Sequence, residues 1–311
     1  MCFHLWSNSA VKLPVLLAEL CLLVGCVQQA AQEPPPSPPK PPLEFLGEWG
    51  APGTGPGQLS EPSDVAVDSF GNVYLSDRGS RFVHKFSATG TPLLSFQSVS
   101  LLEPSCIAVD RGDAIYVCDA KRKAVYVFFP TGDFFRVLRG RGMRPSDVAV
   151  DAEGNAFVAG GLRIFQFTPR GRLGRAWGTK GGGPGKVLWK EDVQVSSDGS
   201  VFVLDPENGR VQRFNPQGEF LGEWPVAGSD SPSAFALWGT TIAVARPNSS
   251  LIEVWALDGH RLFAVDVASY LALAAESKEH IGALAFSPRS ELFALVRNPA
   301  RPRVLRFRVN F

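Results

Sequence analysis

FLGEW occurs twice in this chain, at Phe45–Trp49 and at Phe220–Trp224, and the first copy decides the fold. The second copy closes a strand-turn-strand unit, whereas the first opens the folded region with nothing upstream for it to complete. A matching deficit stands at the far end. VLRFRV, Val304–Val309, reads as a third strand whose unit stops at Phe311 without a fourth. A circular array of four-stranded sheets, closed by its own N-terminal strand, accounts for both irregularities, because radial repetition leaves few exposed sheet edges.

The internal repeat sets the number of sheets. PSDVAVD at Pro62–Asp68 recurs as PSCIAVD at Pro104–Asp110 and PSDVAVD at Pro145–Asp151, then more loosely as EDVQVS at Glu191–Ser196, SAFALW at Ser233–Trp238 and IGALAFS at Ile281–Ser287. These are six copies, about 40 to 50 residues apart, the length of a propeller blade rather than of a helical repeat. Each is followed by a turn and an unbroken apolar run, such as VYL from Val73 or VFVL from Val201, the signature of a strand buried on both faces. A third strand alternates polar and apolar, as at Gln166 and Arg213, which predicts a more peripheral place in each sheet. Gly90, Gly132, Gly171, Gly218 and Gly259 fall in the turns leading to the fourth strand, where a positive φ costs glycine little. The predicted fold is all-β: a six-bladed β-propeller with three C-terminal strands and one N-terminal strand in its last blade.

The stretch from Trp49 to Asp77, WGAPGTGPGQLSEPSDVAVDSFGNVYLSD, resembles the NHL repeat, with its glycine-rich WG entry, its P-x-(G/D)-(I/V)-A-V-D strand, its GN-(V/L)-Y-V strand and its final Asp. At motif level the resemblance covers Phe45 to Pro225, and the last two blades follow from spacing and strand pattern. The resemblance favours a binding module or scaffold, and it also brings to mind a propeller amidating lyase, which would need several His converging on a metal. Some NHL proteins bind RNA, and the basic stretch Lys121–Arg144 invites that reading. No aromatic stacking platform stands out among those basic residues, and export argues against it, so no nucleic-acid partner is expected.

Composition agrees with one globular β domain and a tail: 311 residues, 31 Gly, 25 Pro and 45% hydrophobic content. Net charge is +1, but it is unevenly spread. Arg111 to Lys190 holds 15 Lys plus Arg against 6 Asp plus Glu, whereas Glu191 to Pro288 holds 5 against 13. In a ring these become a basic and an acidic side, which a soluble rim also accounts for.

Residues 1–25 have the layout of an export signal: Lys12, a short apolar run Leu13–Val24, then Gly25 and Cys26. The run is too short to span a bilayer. LVGC, Leu23–Cys26, resembles the lipobox of bacterial lipoproteins, which implies lipidation of Cys26 and a place at the cell envelope, in the outer membrane if the cell is Gram-negative. An ordinary secretory signal and a membrane stub are the alternatives. Residues 26–43 form a linker whose PPPSPPKPP tract, Pro34–Pro42, favours an extended polyproline spacer. The propeller is assigned to residues 44–311. Of the five cysteines, Cys106 and Cys118 remain in the ring, roughly opposite each other in blade two. A disulfide and a pair of small buried side chains are both compatible with that placement.

Candidate chemistry is sparse. Four histidines, His4, His84, His260 and His280, share no ring position, so the converging set of a propeller amidating lyase is missing, and no Ser-His-Asp arrangement declares itself. GTKGGGPGK, Gly178–Lys186, looks like a phosphate loop but lacks the following Ser or Thr and aligns with the entry loop GAPGTGPGQ, so its reading is structural. Asp64, Asp147 and Asp192 begin the first strand of three blades, and Asp77, Asp119 and Asp205 end the second. In a propeller these positions converge near one mouth of the channel. Arg81, Arg163 and Arg210 enter the third strand nearby and would pair with the second Asp set. Such charges either stitch blades together or form a polar funnel for a cation or cationic group, with no cofactor required and calcium or another divalent ion as an option. Val267–His280, VASYLALAAESKEH, reads as a short helix over that mouth. The expected function is non-enzymatic binding or scaffolding at the envelope, with a protein, peptide or glycan held by loops on one ring face. The alternative is a channel-sited, metal-dependent hydrolase or lyase.

Overall fold

The computed structural model describes residues 41–188, 192–226, 231–246, 250–270 and 280–310. The signal, Cys26 and most of the Pro tract lie outside the described residues, as does the greater part of the segment expected to be helical.

Six four-stranded antiparallel sheets form the blades. Blade one runs through Pro62–Val67, Val73–Asp77, Val83–Phe86 and Pro92–Phe96. Blade two comprises Pro104–Val109, Ile115–Asp119, Ala124–Phe128 and Phe134–Leu138, and blade three Pro145–Val150, Ala156–Gly160, Ile164–Phe167 and Leu173–Trp177. Blade four comprises Asp192–Val195, Val201–Asp205, Arg210–Phe214 and Phe220–Pro225, and blade five Ala234–Trp238, Thr241–Ala245, Leu251–Ala256 and Arg261–Asp266. Blade six takes Ile281–Phe286, Glu291–Val296 and Arg303–Val309 from the C-terminus and Leu43–Trp49 from the N-terminus. The chain is a six-bladed β-propeller.

Closure follows the predicted pairing. Leu43 pairs with Val309, Phe45 with Phe307 and Trp49 with Val304, with a bulge between Phe45 and Gly47. Phe45, Tyr270 and Phe307 form an aromatic trio with centroids 5.5 to 6.2 Å apart, and the Tyr270 hydroxyl donates to Leu43 O at 2.9 Å. Each of six apolar clusters spans two neighbouring blades. One links blade six to blade one through Phe293, Val304, Leu59 and Phe86, and the others complete the circuit. Burial on both faces is why the second strands carry unbroken apolar runs. Each fully buried Phe in these wedges contributes about 1.5 to 3 kcal/mol of transfer free energy.

Three expectations are refined. The glycines leading to the fourth strands have positive φ (+87° at Gly90, +82° at Gly218, +92° at Gly259), but all except Gly171 also admit the last aromatic of the preceding blade. A Cβ would lie 2.5 Å from Trp177 at Gly218 and 2.7 Å from Trp224 at Gly259, and Trp49 packs likewise on Gly90. The third strands, expected to be peripheral, are mostly buried, because their apolar side chains pack in the clusters between neighbouring blades. The described start of the expected helix, Val267–Tyr270, is a 3-10 turn with Val267 buried. Among the described residues, no helix is long and apolar enough to cross a membrane.

Candidate functional site

The starts of the first strands, the loops between blades and the loops between second and third strands share one end of the ring and open into a central cavity of about 1050 Å3. A bulge interrupts the first-strand pairing of blades one, two, three and six at its start, between Pro62 and Asp64, Pro104 and Ile107, Pro145 and Asp147, and Ile281 and Ala283. Bulges re-aim side chains, and in blades one and three they accompany carboxylates that turn toward the channel. Asp64, Asp147 and Asp192 all line the cavity, at the repeat position occupied by Cys106, Ala234 and Ala283 in the other blades.

Two of these carboxylates also tie blades together. Asp64 accepts from its neighbour Val65 N and from Ile107 N of blade two, both at 2.8 Å. Asp147 accepts from Val193 N of blade four at 2.8 Å. Burial still dominates their titration. It pushes the Asp64 carboxyl up to about 6 against the pull of those amides and of Arg297. Asp147 is raised well above the usual carboxylate range, first by burial and then by the charges of Asp192 and Asp64. The carboxylates therefore sense one another across the channel.

A counter-charge stands at the same mouth. Arg297 follows the second strand of blade six, lines the cavity and donates through Nη2 to Ser63 O of blade one. Its side chain is exposed to the open cavity, yet partial desolvation by the surrounding wall lowers its pKa, and Asp64 and Asp192 oppose that shift. Gly282 makes this possible, since any Cβ there would collide with the Arg297 side chain. His280, itself exposed, lines the same cavity, its pKa lowered by partial desolvation and by Arg297. Repeat spacing offers no reason to select Arg297 or His280. The available signal is the departure of blade six from the motif, with Gly282 where blades one, two, three and five carry Ser63, Ser105, Ser146 and Ser233.

The second Asp set lies behind the channel wall. Asp77, Asp119 and Asp205 are fully buried and serve as buckles for the entry loops. Asp77 accepts from Ser60 N at 2.7 Å, Glu61 N at 3.1 Å and Ser80 N at 2.9 Å. Asp119 accepts from Leu102 N, Glu103 N and Arg122 N, and Asp205 from Leu188 N and Asn208 Nδ2. Of the three arginines expected to pair with them, Arg210 does so, with Nε 3.2 Å from Asp205 Oδ2, and it also donates to three carbonyls of the loop 182–186. Arg81 and Arg163 are exposed, and blade three has Gly160 where blades one, two and four have Asp, so Arg163 has no such carboxylate to meet. His84 and Gln212 hold equivalent places: Gly57 N donates to His84 Nδ1 at 3.4 Å and Gly185 N to Gln212 Oε1 at 2.8 Å. The glycine-rich segment 178–186 is thus an entry loop, with Thr179–Lys180 pairing parallel to Lys186–Val187 as Pro52 bridges Leu59 in blade one.

Cys106 and Cys118 are joined by a disulfide, with Cα atoms 4.9 Å apart, and Cys106 lines the channel. Among the described residues, no three His, Cys, Asp or Glu side chains gather closely enough to hold a metal ion. His84 is buried in blade one, and His260 is exposed in a blade-five turn beside Asp258.

No family model matches the chain. Over 88 residues, 25% of its length, it is 41% identical to peptidyl-glycine alpha-amidating monooxygenase B of Xenopus laevis, and 39% identical to the A form. The chain spans about one tenth of the length of these relatives. Among solved structures it is similar to a streptogramin B lyase, with TM-score 0.61, 13% identity, and 86% of this chain and 97% of that one covered. It is also similar to a catalytically inactive variant of virginiamycin B lyase from Staphylococcus aureus with quinupristin, with TM-score 0.59, 10% identity, and 80% of each chain covered. At such identities the likeness is one of fold.

Proposed function

We propose that the chain is an NHL-like recognition propeller, tethered to the cell envelope through a lipidated Cys26 and a polyproline spacer, that holds a protein, peptide or glycan at the channel mouth. The observation that carries this reading is the trio Asp64, Asp147 and Asp192 inside an open cavity of about 1050 Å3, with Arg297 at the same mouth. Asp64 and Asp147 are driven upward by burial, and Asp147 also by the charges of Asp192 and Asp64; perturbed groups of this kind in a cleft mark a candidate binding site. A cationic group on the ligand would relieve their mutual repulsion, and Arg297 would receive an anionic one. A pull-down from envelope extract with the full chain, repeated with Asp147→Ala, tests this. A partner captured by the parent and lost by the variant supports the reading, and identical captures overturn it. Calorimetry with calcium on the same pair separates a bound cation from a cationic ligand group.

A channel-sited, metal-dependent hydrolase or lyase is the second reading, favoured by His280 beside Arg297 at the mouth. The described acidic and histidine residues do not form a metal-holding group as placed, so no reaction step is derived. Elemental analysis of purified protein discriminates: stoichiometric zinc or calcium would favour the enzyme.

A further inference from the structure

The end of the ring opposite the channel mouth, where the turns between first and second and between third and fourth strands lie, carries the apolar side chains that the fold leaves in water. Phe70 is 67% exposed in a first-to-second-strand turn of blade one, Phe129 is exposed in a third-to-fourth-strand turn of blade two, and Phe134 and Phe135 open the strand that follows. Leu173 and Leu262 repeat the pattern at the start of the fourth strands of blades three and five. Among the described residues, nine of the ten exposed large apolar side chains stand in these turns or just after them, Val99 being the exception. The aromatics of blade two lie within the basic stretch in which no platform is evident from the letters alone. The Phe129 and Phe135 rings pack 4.6 Å apart, and the Arg136 guanidinium stands 3.9 Å over Phe135. Arg170 and Arg172 are exposed in the adjoining turn of blade three.

The chain enters the ring at this same end. Pro41 and Pro42 lead into the fourth strand of blade six, and Asn310 fastens both through their carbonyls at 3.0 and 2.9 Å. The residues that precede Pro41, among them the apolar run Leu13–Val24, thus continue from this end of the ring in the chain.

We infer that the turn end of the ring is a docking face for an anionic lipid bilayer, with the phenylalanines dipping into the interface and the arginines meeting headgroup phosphates. Three features favour a lipid surface over a macromolecular partner. The apolar side chains are distributed over five blades at one end of the ring, which suits an extended surface, whereas a protein partner selects a compact, central cluster. Acidic Asp113, Asp133 and Glu153 interleave with the basic residues, which breaks the continuous positive groove that a nucleic-acid backbone needs. The N-terminal segment joins here. Docking of this kind would aim the channel mouth away from the membrane.

The test uses the full chain carrying Cys26→Ser, so that no acyl chain contributes, and measures flotation with vesicles of phosphatidylcholine alone or with phosphatidylglycerol added. The parent should bind anionic vesicles more tightly than neutral ones and lose affinity in high salt. Phe129→Ser, Phe134→Ser and Phe135→Ser together should weaken binding about tenfold or more. Arg170→Glu with Arg172→Glu should weaken it on anionic vesicles only. All five positions are exposed, and unchanged circular dichroism would exclude misfolding. Triple-variant binding equal to the parent's would overturn the inference by showing that the apolar N-terminal run suffices. So would loss of a single-stranded RNA or a protein partner while vesicle binding stays intact.

Discussion

Replacing Asp64 by Asn should stabilise the protein at neutral pH, and the reason lies in the channel. The carboxyl titrates at about 6 in the folded ring against an ordinary 3.8, so keeping it charged at pH 7 costs roughly 3 kcal/mol, since each pKa unit is worth about 1.4 kcal/mol. Water in the open cavity makes this an upper bound. The amide removes the charge but can accept fully from only one of the two backbone donors, Val65 N and Ile107 N, a loss of about 1 kcal/mol. Asp64→Asn should therefore gain about 1 to 2 kcal/mol at pH 7. The pH dependence has a definite sign. A carboxyl whose folded pKa is raised binds more protons when folded, so wild-type stability attributable to this group increases as pH falls from about 6 toward 3.8. The variant's advantage should shrink across that window and disappear, or reverse by the lost hydrogen bond, near about pH 4. Urea unfolding of both proteins at about pH 7, 5.5 and 4 reads the difference directly. A variant no more stable than wild type at pH 7, or a difference that ignores pH, would refute the account of a strained carboxylate.

Three further outcomes follow from the same geometry. His84 is buried with its pKa lowered to about 4, so the unfolded chain takes up a proton between about pH 6.5 and 4 that the folded one refuses, and acidification costs up to roughly 3 kcal/mol. His84→Gln, which copies Gln212 of blade four, should flatten that part of the pH profile in urea titrations. Gly218→Ala forces a Cβ to 2.5 Å from Trp177 at φ +82° and should cost about 2 kcal/mol or more, seen as a lower Tm. Gly222→Ala, with nothing within 4 Å, is the control. Phe307→Ala removes a fully buried ring from the closing seam and should cost about 3 to 5 kcal/mol, with early proteolytic cleavage near Leu43.

The architecture was legible because two strands each lacked a neighbour and the repeat supplied the spacing, and both are properties of order along the chain. Alignment of the first strands likewise singled out Asp64, Asp147 and Asp192 as a set, and all three reach the channel. What alignment could not supply was direction. Asp77, Asp119 and Asp205 recur just as regularly, yet each takes amides of a loop 17 residues upstream, so they face into the wall. Arg297 escaped notice because it works through Gly282, whose lack of a side chain matters only once the two strands are set side by side. The exposed phenylalanines of FFRVL look like core residues in one dimension. A fourth strand has one face on its neighbour and one in water, and the letters alone do not say which residues take which face.

The seam between Leu43–Trp49 and Arg303–Val309 also fixes the order of events during synthesis. Blades one to five can assemble as they leave the ribosome, but Leu43–Trp49 must wait for Arg303–Val309 before its hydrogen-bonding edge is covered. Until then the nascent chain is an open arc with two raw ends, each able to recruit a stranger's strand. A premature stop before Arg303 would leave that arc permanently unlatched, which predicts aggregation in place of a shortened working product.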